Sequence, residues 1–277
     1  MKTITLENDR TISGITVLDS MLYVVSQDSN SISVYSATEF QFLKHFAVDK
    51  LVNPSDIISC KFNKCLYICD WGKTTLIHRV KVSEEMAHFN WSTDKDFGCL
   101  SVTSEHTILL AGYVSNRLKE YTSNGELIRS IELENDFKPW HSIKLDCNNV
   151  HYVICQGDTS SKYHRVCLID FHGEIKNSFG GVAGSDKEQL HGPYHMAVDK
   201  NGGILVNDCN NSRILLLSQD LKFIKEIITS SSSVLCRARR MFLDEDAGRL
   251  YVADNARTDS VTKDGKVLVF GNLKNSA

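Results

Sequence analysis

The feature that most restricts the fold is a short apolar run that returns at a nearly constant interval. It reads LYVVS (22–26), LYICD (66–70), ILLAG (108–112), HYVIC (151–155), ILVND (204–208) and LYVAD (250–254). The second residues of these runs are Tyr23, Tyr67, Leu109, Tyr152, Leu205 and Tyr251, separated by 44, 42, 43, 53 and 46 positions. Six units at this spacing fill a chain of 277 residues. A repeat in the mid-forties built from short strands is the pattern of propeller blades.

The other runs of each unit agree. SISVYS (31–36), TLIHRVKV (75–82), RLKEYT (117–122), RVCLID (165–170), RILLLS (213–218) and KVLVFG (266–271) supply a third strand, and HMAVD (195–199) and RMFLD (240–244) exemplify the first. Asn124-Gly125 and His172-Gly173 predict two-residue hairpin turns before fourth strands. No 11–18-residue stretch carries helical periodicity. The expected fold is therefore all-β: one domain over residues 1–277, a six-bladed β-propeller of four-stranded antiparallel blades. After KVLVFG the last unit has too little chain for a fourth strand, whereas the alternating KTITLEN (2–8) is spare. The N-terminal strand is expected to complete the last blade and close the ring, which removes an open seam.

Composition narrows the function classes. A net charge of −3, from 31 basic and 34 acidic residues, does not point to a strongly basic nucleic-acid binder, although a local basic patch is compatible with it. No apolar run is long enough to span a membrane, and MKTITLENDR does not read as a secretory signal. Nine cysteines, an odd number without Cys-x-x-Cys spacing, sit mostly in apolar runs. Reduced core thiols in a cytoplasmic protein are the expectation.

Blade five, LHGPYHMAVDKNGGILVNDCNNSRILLLSQD (190–220), carries a family resemblance. Gly-Pro before an AVD strand, an Asn-Gly turn, an apolar strand ending in Asp, and Asn-x-Arg before the next strand resemble the NHL repeat. Asp199, Asn201, Gly202, Asp208, Asn211 and Arg213 match position by position. The other units match weakly, with Pro54 and Pro139 before their first strands and Asn116-Arg117 in unit three. The resemblance implies a propeller like the C-terminal recognition domain of tripartite-motif (TRIM-NHL) proteins. RING, B-box and coiled-coil signals are not seen in this sequence, so a role in a ubiquitin-ligase-type system would need those parts from elsewhere.

Candidate site residues follow from propeller geometry. The start of a first strand and the end of a second share one face, where the long connections 157–164, 180–193 and 255–266 also fall. Pro54-Ser55-Asp56, Pro139-Trp140-His141 and Pro193-Tyr194-His195 place polar groups at one step after a proline, and Arg240 stands at the same distance from its landmark as Asp56 and His141. Asp56, His141 and His195 are candidate zinc ligands, an arrangement similar to the axial zinc site of peptidyl-hydroxyglycine lyase propellers. Arg240 beside them suits an anion equally well. Asp70, Asp208 and Asp254 end second strands on the same face; they read as loop-bonding turn residues, with calcium as the alternative, as in gluconolactonase-like propellers. Trp71 and Trp91 read as blade-packing aromatics.

The expected function is a non-catalytic recognition module that holds a protein or peptide on the loop-rich face, centred on Trp140, His141, Tyr194, His195, Arg239 and Arg240. No cofactor is required by this reading; zinc or calcium belongs to the alternative of a metal-dependent lyase or lactonase-like hydrolase. Single-stranded RNA is a further alternative, because Arg237, Arg239 and Arg240 lie beside aromatic residues. No membrane partner is expected.

Overall fold

The computed structural model describes residues 1–6, 11–82, 87–134, 137–145, 151–158, 160, 162–255 and 265–271. They form six four-stranded antiparallel sheets, one per predicted unit, and the only helices among the described residues are two three-residue 3₁₀ turns. The first strands are Ile12–Leu18, Pro54–Cys60, Gly98–Val102, Phe137–Leu145, Pro193–Val198 and Ala238–Asp244. Each contacts the first strands of the two neighbouring blades, so the six form a closed inner ring.

The apolar runs are continuous because both faces of each second strand are covered. The described residues form six hydrophobic clusters, and each lies between two adjacent blades. Successive side chains of a strand point to opposite faces. In blade five, Ile204 and Val206 therefore enter the cluster shared with blade four, while Leu205 enters the one shared with blade six. The recurring tyrosines Tyr67, Tyr152 and Tyr251 are fully buried. Tyr152 donates its hydroxyl to Glu120 Oε2 at 3.1 Å and Tyr251 to the Ala37 carbonyl at 3.3 Å, so a polar tip does not spoil either position.

The ring closes as the sequence suggests. Lys2–Thr5 pairs antiparallel with the third strand of blade six, Ile4 opposite Val267, and Ile4 is buried in the cluster between blades six and one. Residues 7–10, which include the end of the spare run, lie outside the described residues.

Two expectations require correction. The Asn124-Gly125 and His172-Gly173 turns are not two-residue hairpins. In each, the glycine takes a left-handed φ of 89° and its N–H returns to the carbonyl three residues back, Thr122 and Asp170 respectively, with a register shift beside it. This is a turn followed by a glycine bulge, which adds a residue that a two-residue turn omits. Gly180, Gly181 and Val182 are not loop either; they extend the fourth strand of blade four, Ile175–Val182.

The eight described cysteines are free thiols and seven are buried; Cys147 lies outside the described residues. Burial pushes the pKa of Cys69 and Cys209 up to about 12, which keeps these thiols protonated and unreactive.

The closing strand sets a stability test. Ile4→Ala should lower the unfolding free energy in urea by about 2–3 kcal/mol, the usual cost of emptying a core isoleucine site. The same truncation at exposed Thr5 should change it by about 0.5 kcal/mol or less.

Candidate functional site: an aromatic cup over a buried polar axis

A repeated irregularity builds the site. Five of the six first strands carry a β-bulge at their start, between Ile12 and Gly14, Pro54 and Asp56, Pro139 and His141, Pro193 and His195, and Ala238 and Arg240. A bulge inserts one unpaired residue and re-aims the side chains around it. The inserted residues Ser13, Ser55, Trp140, Tyr194 and Arg239 all line one cavity of about 320 Å³ at the channel mouth. The residues that resume pairing, Gly14, Asp56, His141, His195 and Arg240, occupy equivalent positions beneath it. Blade three has no bulge and places Cys99 there, opposite Ala111.

The pairing also explains the uneven spacing of the histidines. His141 pairs with Cys155 and His195 with Asn207, each directly after its bulge. The landmarks themselves are out of step, Tyr152 lying three residues before Cys155 and Leu205 two before Asn207, and the two hairpins differ in length. The counts of 11 and 10 residues from histidine to landmark therefore do not separate the imidazoles, which reach the axis on the same side. Their ring centroids are 3.9 Å apart and nearly parallel. The Met196 N–H donates to His141 Nδ1 at 3.3 Å, a role for a neutral ring nitrogen. Burial, reinforced by the Arg240 charge, lowers the His141 pKa to about 3; burial and the facing His141 depress His195 as well.

Asp56 and Arg240 close the axis. Arg240 Nε donates to Asp56 Oδ1 at 3.3 Å, Nη2 to the Ser55 carbonyl at 2.9 Å and Nη1 to the Arg239 carbonyl at 3.0 Å. The other Asp56 oxygen accepts the Leu100 N–H at 2.8 Å. The pair thus ties blade six to blades two and three across blade one. Gly14, between them in the ring, has no side chain to obstruct the contact, and a Cβ there would stand 2.5 Å from the Ile57 nitrogen. Burial raises the Asp56 pKa to about 6, against the opposing pull of Arg240.

The structure therefore brings all seven predicted residues together, but in two layers. Trp140, Tyr194 and Arg239 face the cup. His141 and His195 lie below it, and Arg240, although it borders the cup, is engaged with Asp56. Asp56, His141 and His195 are not arranged as a metal site: Asp56 is occupied by Arg240 and the Leu100 amide, and the two rings stack. Among the described residues no group of three or more His, Cys, Asp or Glu side chains could hold a metal ion.

Asp70, Asp208 and Asp254 have a loop-bonding role. Asp70 accepts the Asn53 N–H at 2.6 Å, Asp208 the His191 N–H at 2.6 Å, and Asp254 the Cys236 and Arg237 N–H groups at 2.9 and 2.7 Å. Each carboxylate thereby fixes the segment that leads into the first strand of its own blade. Asp208 also receives Arg213 Nε at 2.8 Å, and that guanidinium bonds the carbonyls of Ser185, Asp186 and Gln189. Asp199 accepts the Asn201 and Gly203 amides at 2.9 and 2.7 Å. In this protein, then, the residues that carry the NHL resemblance organise turns and loops.

Sequence reasoning misplaced Trp71. It is 51% exposed, stacks on Phe97 at 4.4 Å and, with Phe97 and Tyr113, forms one wall of the cup. Its position one residue beyond the apolar run that closes on Asp70 was the available signal, and it forms the end of the strand Cys65–Trp71. Trp91 does pack in the cluster between blades two and three. The opposite wall pairs Trp140 with Tyr194 at 4.7 Å, and the Arg239 guanidinium lies 5.7 Å from the Tyr194 ring centre. Gly157 permits this packing, since a Cβ there would meet the Trp140 indole at 2.1 Å. Of the connections expected on this face, residues 256–264 lie outside the described residues.

Fold and mouth together define the class: a six-bladed propeller with a polar axis sealed from within and an open aromatic cup above it. No known protein-family pattern matches the sequence, and no curated protein matches it. Solved structures do. A protein of unknown function from Bacteroides caccae is 14% identical with a TM-score of 0.64, covering 86% of this chain and 84% of its own. The hydrazine synthase of Kuenenia stuttgartiensis is 14% identical with a TM-score of 0.66, covering 94% and 83%. Virginiamycin B lyase from Staphylococcus aureus is 12% identical with a TM-score of 0.62, covering 98% and 88%. At such identities the likeness is one of fold. Among the described residues no helix is long and apolar enough to cross a membrane.

The depressed His141 pKa makes the axis sensitive to acid. The unfolded protein takes up this proton near pH 6.5, whereas the folded protein resists it down to about pH 3. The associated stability is present above pH 6.5 and is lost as the pH falls. Asp56 opposes this in part, because its raised pKa adds stability at low pH that disappears as the pH rises through about 6. His141→Gln should therefore reduce the loss of unfolding free energy between pH 6.5 and 5 by about 1.5 kcal/mol, measured by urea denaturation at both values.

Proposed function

We propose that the protein is a non-catalytic recognition module of NHL-like type that holds a peptide segment of a protein partner in the aromatic cup. The observation that supports this most directly is the division of labour at the bulges. The groups suited to proton transfer or metal binding are buried beneath the mouth, Asp56 bonded to Arg240 and the two imidazoles stacked on each other, whereas those presented at the mouth are suited to contact. Trp71, Phe97, Tyr113, Trp140 and Tyr194 give a rigid surface with little side-chain entropy to lose, and aromatic residues and arginine are the usual anchors of interfaces. A volume near 320 Å³ fits one or two side chains of a partner, at the small end of ligand sites.

A random peptide library displayed on phage and panned against the protein tests the reading. Wild type should enrich a common motif, and Trp140→Ala should bind the resulting synthetic peptide at least tenfold more weakly, with its thermal midpoint recorded to confirm folding. An enriched motif that binds Trp140→Ala and Trp71→Ala as tightly as wild type would place recognition on another surface. Salt-sensitive retention of a random single-stranded RNA, without any peptide motif, would favour the nucleic-acid alternative.

A further inference from the structure

The charges at the mouth do not balance. Among the described residues no carboxylate lines the cup, yet Arg239 and Arg240 both do. Arg240 is neutralised by Asp56. Arg239 has no such partner: no ion pair involves it among the described residues, and its Nε–H is buried without an acceptor. Its nearest charged neighbours, Arg237 and Arg240, carry the same sign, and with burial they lower its pKa. A guanidinium held over the Tyr194 ring, with its Nε–H unbonded and like charges nearby, is an incomplete arrangement. A carboxylate in the cup would complete it by supplying the missing counter-charge to the guanidinium.

We propose that Arg239 is the anion-recognition residue of the cup and that its ligand is a peptide carboxylate flanked by aromatic or apolar side chains. This rests on the reading of the cup as a peptide site and adds the chemistry it selects. The carboxylate sits at the Arg239 edge beside Tyr194, and the apolar flanks lie on Trp140 and on the Trp71–Phe97 stack. A single uncompensated cation in a small cup suits one carboxylate better than a phosphodiester backbone, which needs a succession of cations along its length. An acidic side chain and the free C-terminus of a peptide offer the same group.

Trp71 and Trp140 in the cup make tryptophan fluorescence a direct reporter. Four tripeptides are titrated into the protein: acetyl-Phe-Glu-Phe amide, acetyl-Phe-Gln-Phe with a free C-terminus, acetyl-Phe-Gln-Phe amide and acetyl-Phe-Lys-Phe amide. At least one of the first two should bind tenfold or more tightly than the neutral amide, and the lysine peptide should be weakest. The tighter of the first two identifies the source of the carboxylate. Arg239→Gln should abolish the preference while retaining neutral-peptide binding, and Arg239→Lys should restore part of it. Arg239→Gln should unfold at or above the wild-type temperature, because an unpaired, half-buried cation has been removed; should it fail to fold, Arg239→Lys carries the comparison. Equal binding of all four peptides, or a preference that survives Arg239→Gln, overturns the proposal but leaves the peptide cup standing. No binding of any peptide at millimolar concentration overturns both. Tighter binding of a ten-residue oligouridylate, lost in Arg239→Gln, would assign the cation to RNA instead and also overturns the proposal.

Discussion

The Asp56–Arg240 ion pair is the contact on which the centre of this molecule depends. Both charges are withdrawn from water, and each survives there because the other, with the Ser55 and Arg239 carbonyls and the Leu100 amide, takes up its hydrogen-bonding capacity. A buried pair of this kind adds little net stability relative to a well-packed apolar alternative, but breaking it leaves a lone charge inside and costs about 3–5 kcal/mol. Its contribution is therefore chiefly specification. It fixes how blade six faces blades two and three, and it requires a residue without a side chain between them, which Gly14 supplies.

The bulges convert that arrangement into a surface. Without an inserted residue the first strands would present one ring of side chains to the axis. With it, consecutive positions divide: Trp140 from His141, Tyr194 from His195, Arg239 from Arg240. The lower member of each pair is held within the ring, by the Asp56 ion pair for Arg240 and by stacking for the two histidines, and the upper member lines the cup. The histidines illustrate why this matters chemically. Stacked at 3.9 Å beneath the cup and held neutral by burial, they contribute packing and acid sensitivity rather than a reactive edge.

Much of the architecture was legible because it rests on local patterns. The spacing of the second-strand runs set the number of blades, and the spare alternating segment at residues 2–8 identified the closing strand. Prolines at a fixed step before polar residues located the axis. What escaped depends on one-residue irregularities. A bulge decides which of Arg239 and Arg240 reaches Asp56, yet two adjacent arginines read alike in a sequence. The glycine bulges after Thr122 and Asp170 resemble tighter turns for the same reason. Trp71 is the last residue of its strand, one past the buried Asp70, and that single step moves it from the blade core to the cup wall.

The central claim is that Asp56 and Arg240 are energetically coupled across the ring. A double-mutant cycle with Asp56→Asn, Arg240→Met and the combined variant, followed by urea unfolding at pH 7, measures that coupling directly. Each single substitution should be severely destabilising, and the double variant should recover about 2 kcal/mol or more of their sum. Additive losses, with a coupling near zero, would contradict it.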